Sequence, residues 1–224
     1  MINLQISSVI KEKIKGMKFG LLSSKPVTVK KDDPNITNVL LSLENGLKDK
    51  FIFHPPSENE IVGHVRRMYR RIGWEPTRYR PSSEALIRRI LKGKALYRIN
   101  NLVDYGNIVS AKFHIPMGLY DTEKINGQVV FDIGRTGETY QGISKEKIHA
   151  EGKLILRDDT GIFGNPTADS MRTSIRDNTH SVLAVFFCPP EVEDAYLREV
   201  LENLKIYYVQ TCPETLTELL VYKP

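Results

Sequence analysis

The spacing of apolar residues divides the chain into a helical first half and a strand-rich second half. Up to Phe113, apolar side chains recur at intervals of three and four, which is typical of amphipathic helices. The spacing predicts helices over Ile36–Leu47, Ser57–Gly73, Pro81–Gly93 and Asn101–Phe113, with one helical turn at Ile10–Ile14. Ser57 and Glu60 have the spacing of a capping box, and Asn101 is predicted as the N-cap of its helix.

Short apolar or β-branched runs bounded by Gly, Asp or Asn follow Pro116, and they predict β-strands. The predicted strands are Val129–Ile133, Glu138–Gln141, Lys153–Leu156, Gly161–Phe163 and Val182–Phe187, with others at Leu4–Ile6, Met17–Leu22 and Leu219–Tyr222. Pro189-Pro190 introduces a final helix over Glu191–Ile206. The pattern predicts an α+β fold in a single domain over residues 1–224, because no repeat or linker interrupts it.

Composition narrows the class of protein. The 224 residues are 41% hydrophobic and 26% charged, which is enough for a sizeable core. Lys11 and Glu12 interrupt the first apolar stretch, and no later stretch approaches the roughly 20 apolar residues of a membrane span, so we expect a cytosolic protein without a membrane partner. Cys188 and Cys212 are too few for a disulfide framework, and the histidine spacing predicts no structural metal.

The net charge of +5 is concentrated in one region. Between His64 and Arg98, eleven Lys and Arg residues face only Glu75 and Glu84, so this region carries +9 and the rest of the chain −4. Such asymmetry is typical of proteins with a phosphate-bearing partner. The alternative is that these arginines pair with acidic residues and solvate two helices.

A family resemblance rests on spaced motifs from Arg78 to Phe187. The motifs are Asn100-Asn101, Val103-Asp104, Asn107, Pro116-Met117, Tyr120-Asp121, Asp158-Asp159, Gly161–Gly164, Asp169-Ser170-x-Arg172-Thr173, Thr179 and Val182–Phe187. In this order they resemble free-standing proteins of the B3/4 family and the matching domain in the beta subunit of bacterial phenylalanyl-tRNA synthetase. The resemblance implies a three-layer α+β domain with residues 78–187 as its core and residues 1–77 as part of the same domain.

The resemblance also implies a function. In the synthetase, a pocket between sheets receives the 3′ end of tRNA that carries a wrongly attached tyrosine, and the ester is hydrolysed without a cofactor. Such hydrolysis requires a positioned water and donors for the carbonyl oxygen. We therefore expect tRNA or aminoacyl-tRNA as the partner, and backbone N–H groups of Gly118 and Gly161–Gly164 as candidate donors.

The candidate site residues fall into three groups. Asn101, Asp104, Asn107 and Gly118 are the catalytic candidates; Tyr120, Asp121, Gly161, Phe163, Gly164, Arg172 and Val185 are the substrate-binding candidates; Arg78, Arg80, Arg88 and Arg89 are the RNA-binding candidates. The arginines would position an RNA backbone without reading its sequence. Structural roles are the alternatives: a helix start for Asn101 and Asp104, a turn for Tyr120-Asp121, and an ion pair with Asp169 or Asp177 for Arg172.

Two departures from the synthetase motif affect specificity. Gly118 stands where the motif has a histidine, and Val185 stands where it has the glutamate that recognises the tyrosine hydroxyl. A hydroxyl against Val185 would lose a hydrogen bond, at a cost of roughly 1–3 kcal/mol. The sequence therefore favours a smaller or more apolar amino acid than tyrosine, or a different ligand.

Two functions from different classes lead at this stage, and a structural or interaction protein with a vestigial pocket is the weakest alternative. One is an aminoacyl-tRNA deacylase that acts in trans, which the retained Asn, Asp and Gly framework favours. The other is a non-catalytic module that binds a free amino acid, a related metabolite or tRNA, which the loss of the histidine and glutamate favours. The sequence has no Ser-His-Asp order, which suits a hydrolysis that needs no strong nucleophile. It has no Walker glycine loop, so we do not expect aminoacylation or ATP use. It does not indicate the number of subunits.

Overall fold

The computed structural model describes residues 3–144 and 146–224, in which most helices precede most strands along the chain, as in an α+β protein. The helices are α1 (Ser8–Lys13), α2 (Pro34–Lys50), α3 (Glu60–Arg71), α4 (Ser82–Leu91), α5 (Asn101–Phe113) and α6 (Asp194–Thr211). The strands are β1 (Leu4–Ile6), β2 (Lys18–Lys25), β3 (Met117–Asp121), β4 (Val129–Ile133), β5 (Thr139–Gln141), β6 (Lys147–His149), β7 (Leu154–Asp158), β8 (Gly161–Asn165), β9 (Ala168–Asp169), β10 (Val182–Cys188) and β11 (Leu216–Tyr222). The predicted fold class is confirmed.

The strands form sheets of five, four and two strands. The five-stranded sheet has the order β1-β4-β7-β8-β9, and the four-stranded sheet has the order β11-β2-β10-β3. All neighbours in the four-stranded sheet are antiparallel, and the register of β10 with β3 places Val185 opposite Gly118. Strand β3 is an edge of this sheet, so one side of its backbone is available to side chains from other elements.

Strand β10 explains why the molecule is layered. All of its residues are buried, and successive side chains of a strand point to opposite faces. Ala184 and Phe186 join a core with helices α5 and α6, whereas Leu183 and Val185 join a core shared with the five-stranded sheet. A helical layer, the four-stranded sheet and the five-stranded sheet therefore stack in that order, each interface being a continuous apolar core.

Helix starts differ in detail from the prediction. Helix α3 is capped by Asn59, whose Oδ1 accepts from the Val62 N–H at 3.2 Å, because residues 56–58 form a separate 3-10 turn. The N-cap of α5 is Asn100, whose Oδ1 accepts from the Val103 N–H at 3.0 Å. The capping assignments for Ser57 and Asn101 were therefore wrong, in each case because a neighbouring asparagine takes the position.

Some strands were not predicted, and one helix begins later than predicted. Strands β3, β6 and β9 are short, and their sequences lack an apolar run long enough to indicate a strand. Helix α6 begins at Asp194 rather than Glu191 and extends to Thr211. In the described part of the chain, no helix has the length and apolar character needed to cross a membrane.

Candidate functional site

A cavity of about 170 Å³ lies between helix α5, strand β3 and the segment around β9. Its polar lining residues are Asn107, Asp169 and Ser174. The remaining wall is apolar and consists of Ile99, Val103, Met117, Leu119, Ile143 and Ile175. Of the four predicted catalytic residues, only Asn107 lines this cavity.

Regular secondary structure positions the walls. Val103 and Asn107 are one turn apart on α5, so they share a face of the helix. Met117 and Leu119 alternate along β3 and point to the same side of the sheet. The Ile143 N–H donates to the Asp169 backbone carbonyl at 3.1 Å, which holds that loop against β9.

Asp169 is the carboxylate of the cavity, and it lies at the edge of β3. Its Oδ2 accepts from the Leu119 N–H at 3.2 Å. Its Oδ1 and the Tyr120 hydroxyl are both buried and face the same point above Gly118, and among the described residues neither has a hydrogen-bond partner. Burial raises the pKa of Asp169 to about 7, although the Tyr120 hydroxyl and the Leu119 N–H act to lower it. This carboxyl group can therefore exchange a proton near neutral pH.

The space beside Gly118 on the other face of β3 is filled by the protein itself. A Cβ atom at Gly118 would lie 1.9 Å from the Tyr120 hydroxyl oxygen, and one at Gly164 would lie 2.3 Å from it. The Tyr120 and Phe163 rings pack edge to face, with centroids 4.9 Å apart. Val185 is fully buried in the same core. Tyr120 therefore occupies the volume that a side chain at position 118 would need, and the open cavity lies on the Leu119 side of the strand.

Asn101 is fully buried and holds three segments together. Its Oδ1 accepts from the Lys30 N–H at 2.8 Å, and its Nδ2 donates to the Thr28 carbonyl and to the Thr211 Oγ1, both at 3.0 Å. These bonds use the amide fully, so the side chain joins the start of α5 to the end of α6 and to the segment after β2. The structure does not bring Asn101 to the cavity.

Asp104 supports the cavity wall without lining it. Its carboxylate accepts from Arg98 Nε at 3.0 Å and from the Ile99 N–H at 2.9 Å. Burial raises the pKa of Asp104, although both of these partners act to lower it. Because Ile99 is a wall residue, the contact fixes one side of the cavity.

Arg172 is engaged in an ion pair with Asp158. Its Nη1 and Nη2 donate to the two carboxylate oxygens at 2.9 and 2.8 Å. Burial acts to raise the pKa of Asp158, but Arg172 and backbone N–H groups hold it below its ordinary value. Arg172 therefore forms an ion pair, as the structural alternative predicts, but its partner is Asp158 and not Asp169 or Asp177. The Gly161 N–H also donates to Asp158, at 3.1 Å, so it is not free to bind a carbonyl oxygen.

Asp121 stabilises a turn after β3. Its carboxylate accepts from the Glu123 N–H at 3.0 Å and from Thr179 Oγ1 at 2.8 Å. Asp121 therefore stabilises a turn, which is the structural alternative that the sequence offered for Tyr120-Asp121. The preceding residue, Tyr120, has the separate role described above.

Glu84 neutralises part of the basic region. This carboxylate is fully buried and accepts from Arg66 Nη1 at 2.9 and 3.1 Å and from Arg88 Nε at 2.7 Å. Arg80 Nε lies 3.9 Å from the same carboxylate. Two of the RNA-binding candidates, Arg80 and Arg88, therefore also take part in an internal ion-pair cluster, as the alternative interpretation of the charge expects.

The other two RNA-binding candidates lie on the surface of this region. Arg89 is held by the Ala95 carbonyl at 2.7 Å, and its guanidinium group stacks 3.8 Å from the Tyr97 ring centroid. Arg78 is exposed, with its guanidinium 5.2 Å from the Tyr79 ring centroid. Burial lowers the pKa of Lys153, and the positive charge of Arg78 lowers it further, so the two cations are close. Arg78 therefore belongs to a surface patch of cations and aromatic rings.

This arginine-bearing segment adjoins the turn that leads into Asp169. The Ser82 N–H donates to the Pro166 carbonyl at 3.3 Å, which ties the start of α4 to the β8–β9 turn. Residues 78–80 precede α4 directly, and Asp169 follows Pro166 by three positions. A backbone hydrogen bond therefore connects the segment that follows the surface arginines to the turn that leads into the cavity residue Asp169.

The sequence did not predict the raised pKa of Asp169. Asp169 stood out there only as part of a family motif and as an alternative partner for Arg172. Its environment comes from Leu119 and Tyr120, about fifty positions earlier in the chain. A possible sequence signal is the pair Gly118 and Gly164, since both positions leave room for the Tyr120 hydroxyl that faces Asp169.

Comparisons with known proteins define the class. Residues 64–197, more than half of the chain, match the family model of the B3/4 domain. The chain therefore belongs to the B3/4 domain family, and the resemblance seen in the sequence is confirmed.

Two relatives and one solved structure are similar to the chain. Over 103 residues, or 44% of the chain, it is 25% identical to the phenylalanine–tRNA ligase beta subunit of Neisseria meningitidis serogroup B, and it covers 13% of that protein's length. Over 208 residues it is 19% identical to the uncharacterized protein YhzB of Bacillus subtilis (strain 168), covering 93% of this chain and 94% of that one. An N-terminal fragment of the phenylalanyl-tRNA synthetase beta subunit from Pyrococcus horikoshii superposes with a TM-score of 0.49 and 9% identity, covering 98% of this chain and 54% of the fragment.

Proposed function

We propose that this chain binds the aminoacyl end of tRNA and hydrolyses the ester bond of a mischarged tRNA. Membership of the B3/4 family and similarity to part of a phenylalanine–tRNA ligase beta subunit support the substrate class. The observation that carries the proposal is Asp169, a carboxyl group with a pKa of about 7 in a mostly apolar cavity. Because the reaction needs aminoacyl-tRNA, the proposal places the chain in the cytosol.

In the proposed reaction, Asp169 acts as a general base. Because Oδ1 is buried on the Gly118 side of β3, Oδ2 is the oxygen that takes a proton from a water molecule in the cavity as the water oxygen attacks the ester carbonyl carbon. The Asn107 amide donates to the carbonyl oxygen as it gains negative charge. When the ester C–O bond breaks, Asp169 returns the proton to the departing hydroxyl of the terminal ribose. The products are a free amino acid and uncharged tRNA.

The cavity limits which amino acid is recognised. Its volume of about 170 Å³ is below the roughly 300–1,000 Å³ of typical small-molecule sites, so it accommodates one amino-acid side chain. Val103, Met117 and Leu119 give it an apolar wall with few groups that could bind a side-chain hydroxyl. We therefore propose a small or medium apolar amino acid.

The cationic surface supplies the RNA contact in this proposal. Arg78 and Arg80 directly precede helix α4, whose first turn is bonded to the β8–β9 turn that leads into Asp169. Contacts of this type weaken steeply with salt because they release counterions from the phosphates.

A non-catalytic binding module is the second candidate, and one observation favours it. Asp169 Oδ1 faces the Tyr120 hydroxyl, and the Gly161 N–H is engaged by Asp158, so the site offers few free groups for catalysis. In that case Asp169 would bind the ammonium group of a free amino acid while the apolar wall holds its side chain.

A deacylation assay on a panel of mischarged tRNAs tests the proposal. The wild type should hydrolyse tRNA that carries a small apolar amino acid, and Asp169→Asn should slow this by a factor of about 10² to 10⁴. The control is Asp177→Asn, an exposed carboxylate 3.6 Å from Lys31, which should leave the rate unchanged. Undiminished hydrolysis by Asp169→Asn would refute the assigned base. Binding of the tRNA or amino acid by the wild type without turnover would establish the module instead.

A further inference from the structure

A second cavity, of about 500 Å³, lies between helices α2, α5 and α6. Val39, Leu43, Leu47, Ile108 and the ring of Tyr207 form most of its wall. Its volume falls within the range of sites that bind small organic molecules. Helix α5 separates it from the first cavity, because Asn107 lines one and the next residue, Ile108, lines the other.

Both charged residues that line this second cavity are positive. Lys50 and Lys112 both line it, and none of its described lining residues is Asp or Glu. Lys50 forms no salt bridge within the described part of the chain, and burial lowers its pKa. Lys112 donates to the neutral Asn203 Oδ1 at 2.9 Å. The cavity therefore has cationic groups without a matching anion.

His114 holds the Lys50 ammonium group in place. His114 is almost fully buried, and its Nδ1 lies 2.7 Å from the Ala111 carbonyl oxygen, so Nδ1 carries the proton. Its Nε2 then accepts from Lys50 Nζ at 2.8 Å. Burial, together with Lys50, lowers the pKa of His114 to about 4, so the ring is neutral at physiological pH. An ammonium group has three donors, and two of those on Lys50 remain for a ligand.

We propose that this cavity binds a small amphipathic anion, namely a carboxylate that carries an apolar chain. The carboxylate accepts from the Lys50 ammonium group, and the chain packs against Leu43, Leu47 and Ile108. The positive charge selects an anion over a neutral amphiphile, and the apolar wall selects it over a fully polar anion such as phosphate. This site is independent of the proposed reaction at Asp169.

Calorimetric titration of the whole chain with octanoate tests the proposal, with 1-octanol as a neutral ligand of the same length. We expect saturable binding of one octanoate per chain and much weaker binding of 1-octanol. Lys50→Met should weaken octanoate binding about tenfold, because it removes the charge and keeps the apolar stem. The matched control is Lys48→Met on the same helix, since Lys48 pairs with Glu44 at 3.9 Å and does not line the cavity.

A second variant blocks the cavity without disturbing the fold. Gly46 lines the cavity, and a Cβ atom there would have no neighbour within 4 Å, so Gly46→Leu adds a side chain to open space. We expect this variant to lose octanoate binding while its thermal midpoint is not lowered, because leucine favours a helix more than glycine does. Absence of saturable octanoate binding to the wild type, equal binding of octanol, or full binding by Gly46→Leu would each overturn the proposal. No tRNA is involved, so these results are separate from those for Asp169.

Discussion

Two carboxylates, the fully buried Glu84 and the half-buried Asp169, have opposite electrostatic environments. Glu84 is fully buried, and Arg66 and Arg88 donate to it at 2.7 to 3.1 Å. Asp169 has a backbone N–H and a tyrosine hydroxyl near it, no cation among the described residues, and a pKa raised by burial to about 7. A carboxylate matched by arginines holds helices together, whereas one left without a cation can exchange protons. Burial alone does not distinguish a structural carboxylate from a functional one.

The difference also changes the interpretation of the basic region. Arg66 on α3 and Arg88 on α4 meet at Glu84, so part of the +9 charge binds these helices to each other. Arg78, which is exposed and forms no salt bridge among the described residues, is the better candidate for a partner's phosphate. Charge reversal at Arg88 would therefore disturb the fold and would not isolate an RNA contact.

The largest expected effect comes from removing the charge of Glu84. Glu84→Gln leaves Arg66 and Arg88 without a buried anion, and we expect a loss of about 3–5 kcal/mol in the free energy of unfolding. Urea denaturation measures this loss. Glu75→Gln, in the exposed loop before α4, is the control and should change the stability little. A loss no larger than that of the control would show that the cluster does not hold the helices together.

The second prediction concerns the pH dependence that Asp169 causes. Its folded-state pKa of about 7 lies above its ordinary value, so its contribution to stability is complete below about pH 4 and is lost as the pH rises through 7. The lost free energy is on the order of 4 kcal/mol at pH 8. Asp169→Asn should remove this dependence and be more stable than the wild type at pH 8. Urea denaturation at pH 4 and pH 8 measures it, and an equal pH effect in both proteins would contradict it.

Local patterns predicted much of the fold, and long-range contacts explain the remainder. The helix spacing placed α5 at Asn101–Phe113, as observed. The contact of Glu84 with Arg66 was not predicted because it joins two helices. Strand β3 was missed because it is short and contains Gly118, and its pairing with β10 depends on residues more than sixty positions away.

The candidate site was predicted only in part for the same reason. Asn107 was identified through a motif, and the structure places it at the cavity. Asn101 has the same side chain, but its position at the end of α5 directs it to the Thr28 carbonyl and to Thr211. The raised pKa of Asp169 depends on burial between separate strands, which a motif does not encode.

The third prediction tests whether the surface arginine contacts RNA. Arg78→Glu should lower the affinity for tRNA about tenfold at low salt, because it replaces a phosphate contact with a repulsive charge. Filter binding over a range of salt concentrations measures both the affinity and its salt dependence. Arg198→Glu, at an exposed position on α6, is the matched control and should have a smaller effect. Equal effects of the two variants would indicate that only the net charge matters.

The smallest expected effect comes from removing the Tyr120 hydroxyl, which is a neighbour of Asp169. This variant tests what sets the pKa of Asp169, the carboxylate without a cation. The Tyr120 hydroxyl lowers the pKa of Asp169, so Tyr120→Phe should move this pKa above its value of about 7. The free energy of unfolding should change by only about 1 kcal/mol, because the hydroxyl has no other partner among the described residues. A carbon-13 NMR titration of the aspartate carboxyl groups measures the shift, with Tyr97→Phe at the surface as the control. An unchanged Asp169 pKa in Tyr120→Phe would show that burial alone sets it, and Tyr120 would then only fill the space beside Gly118.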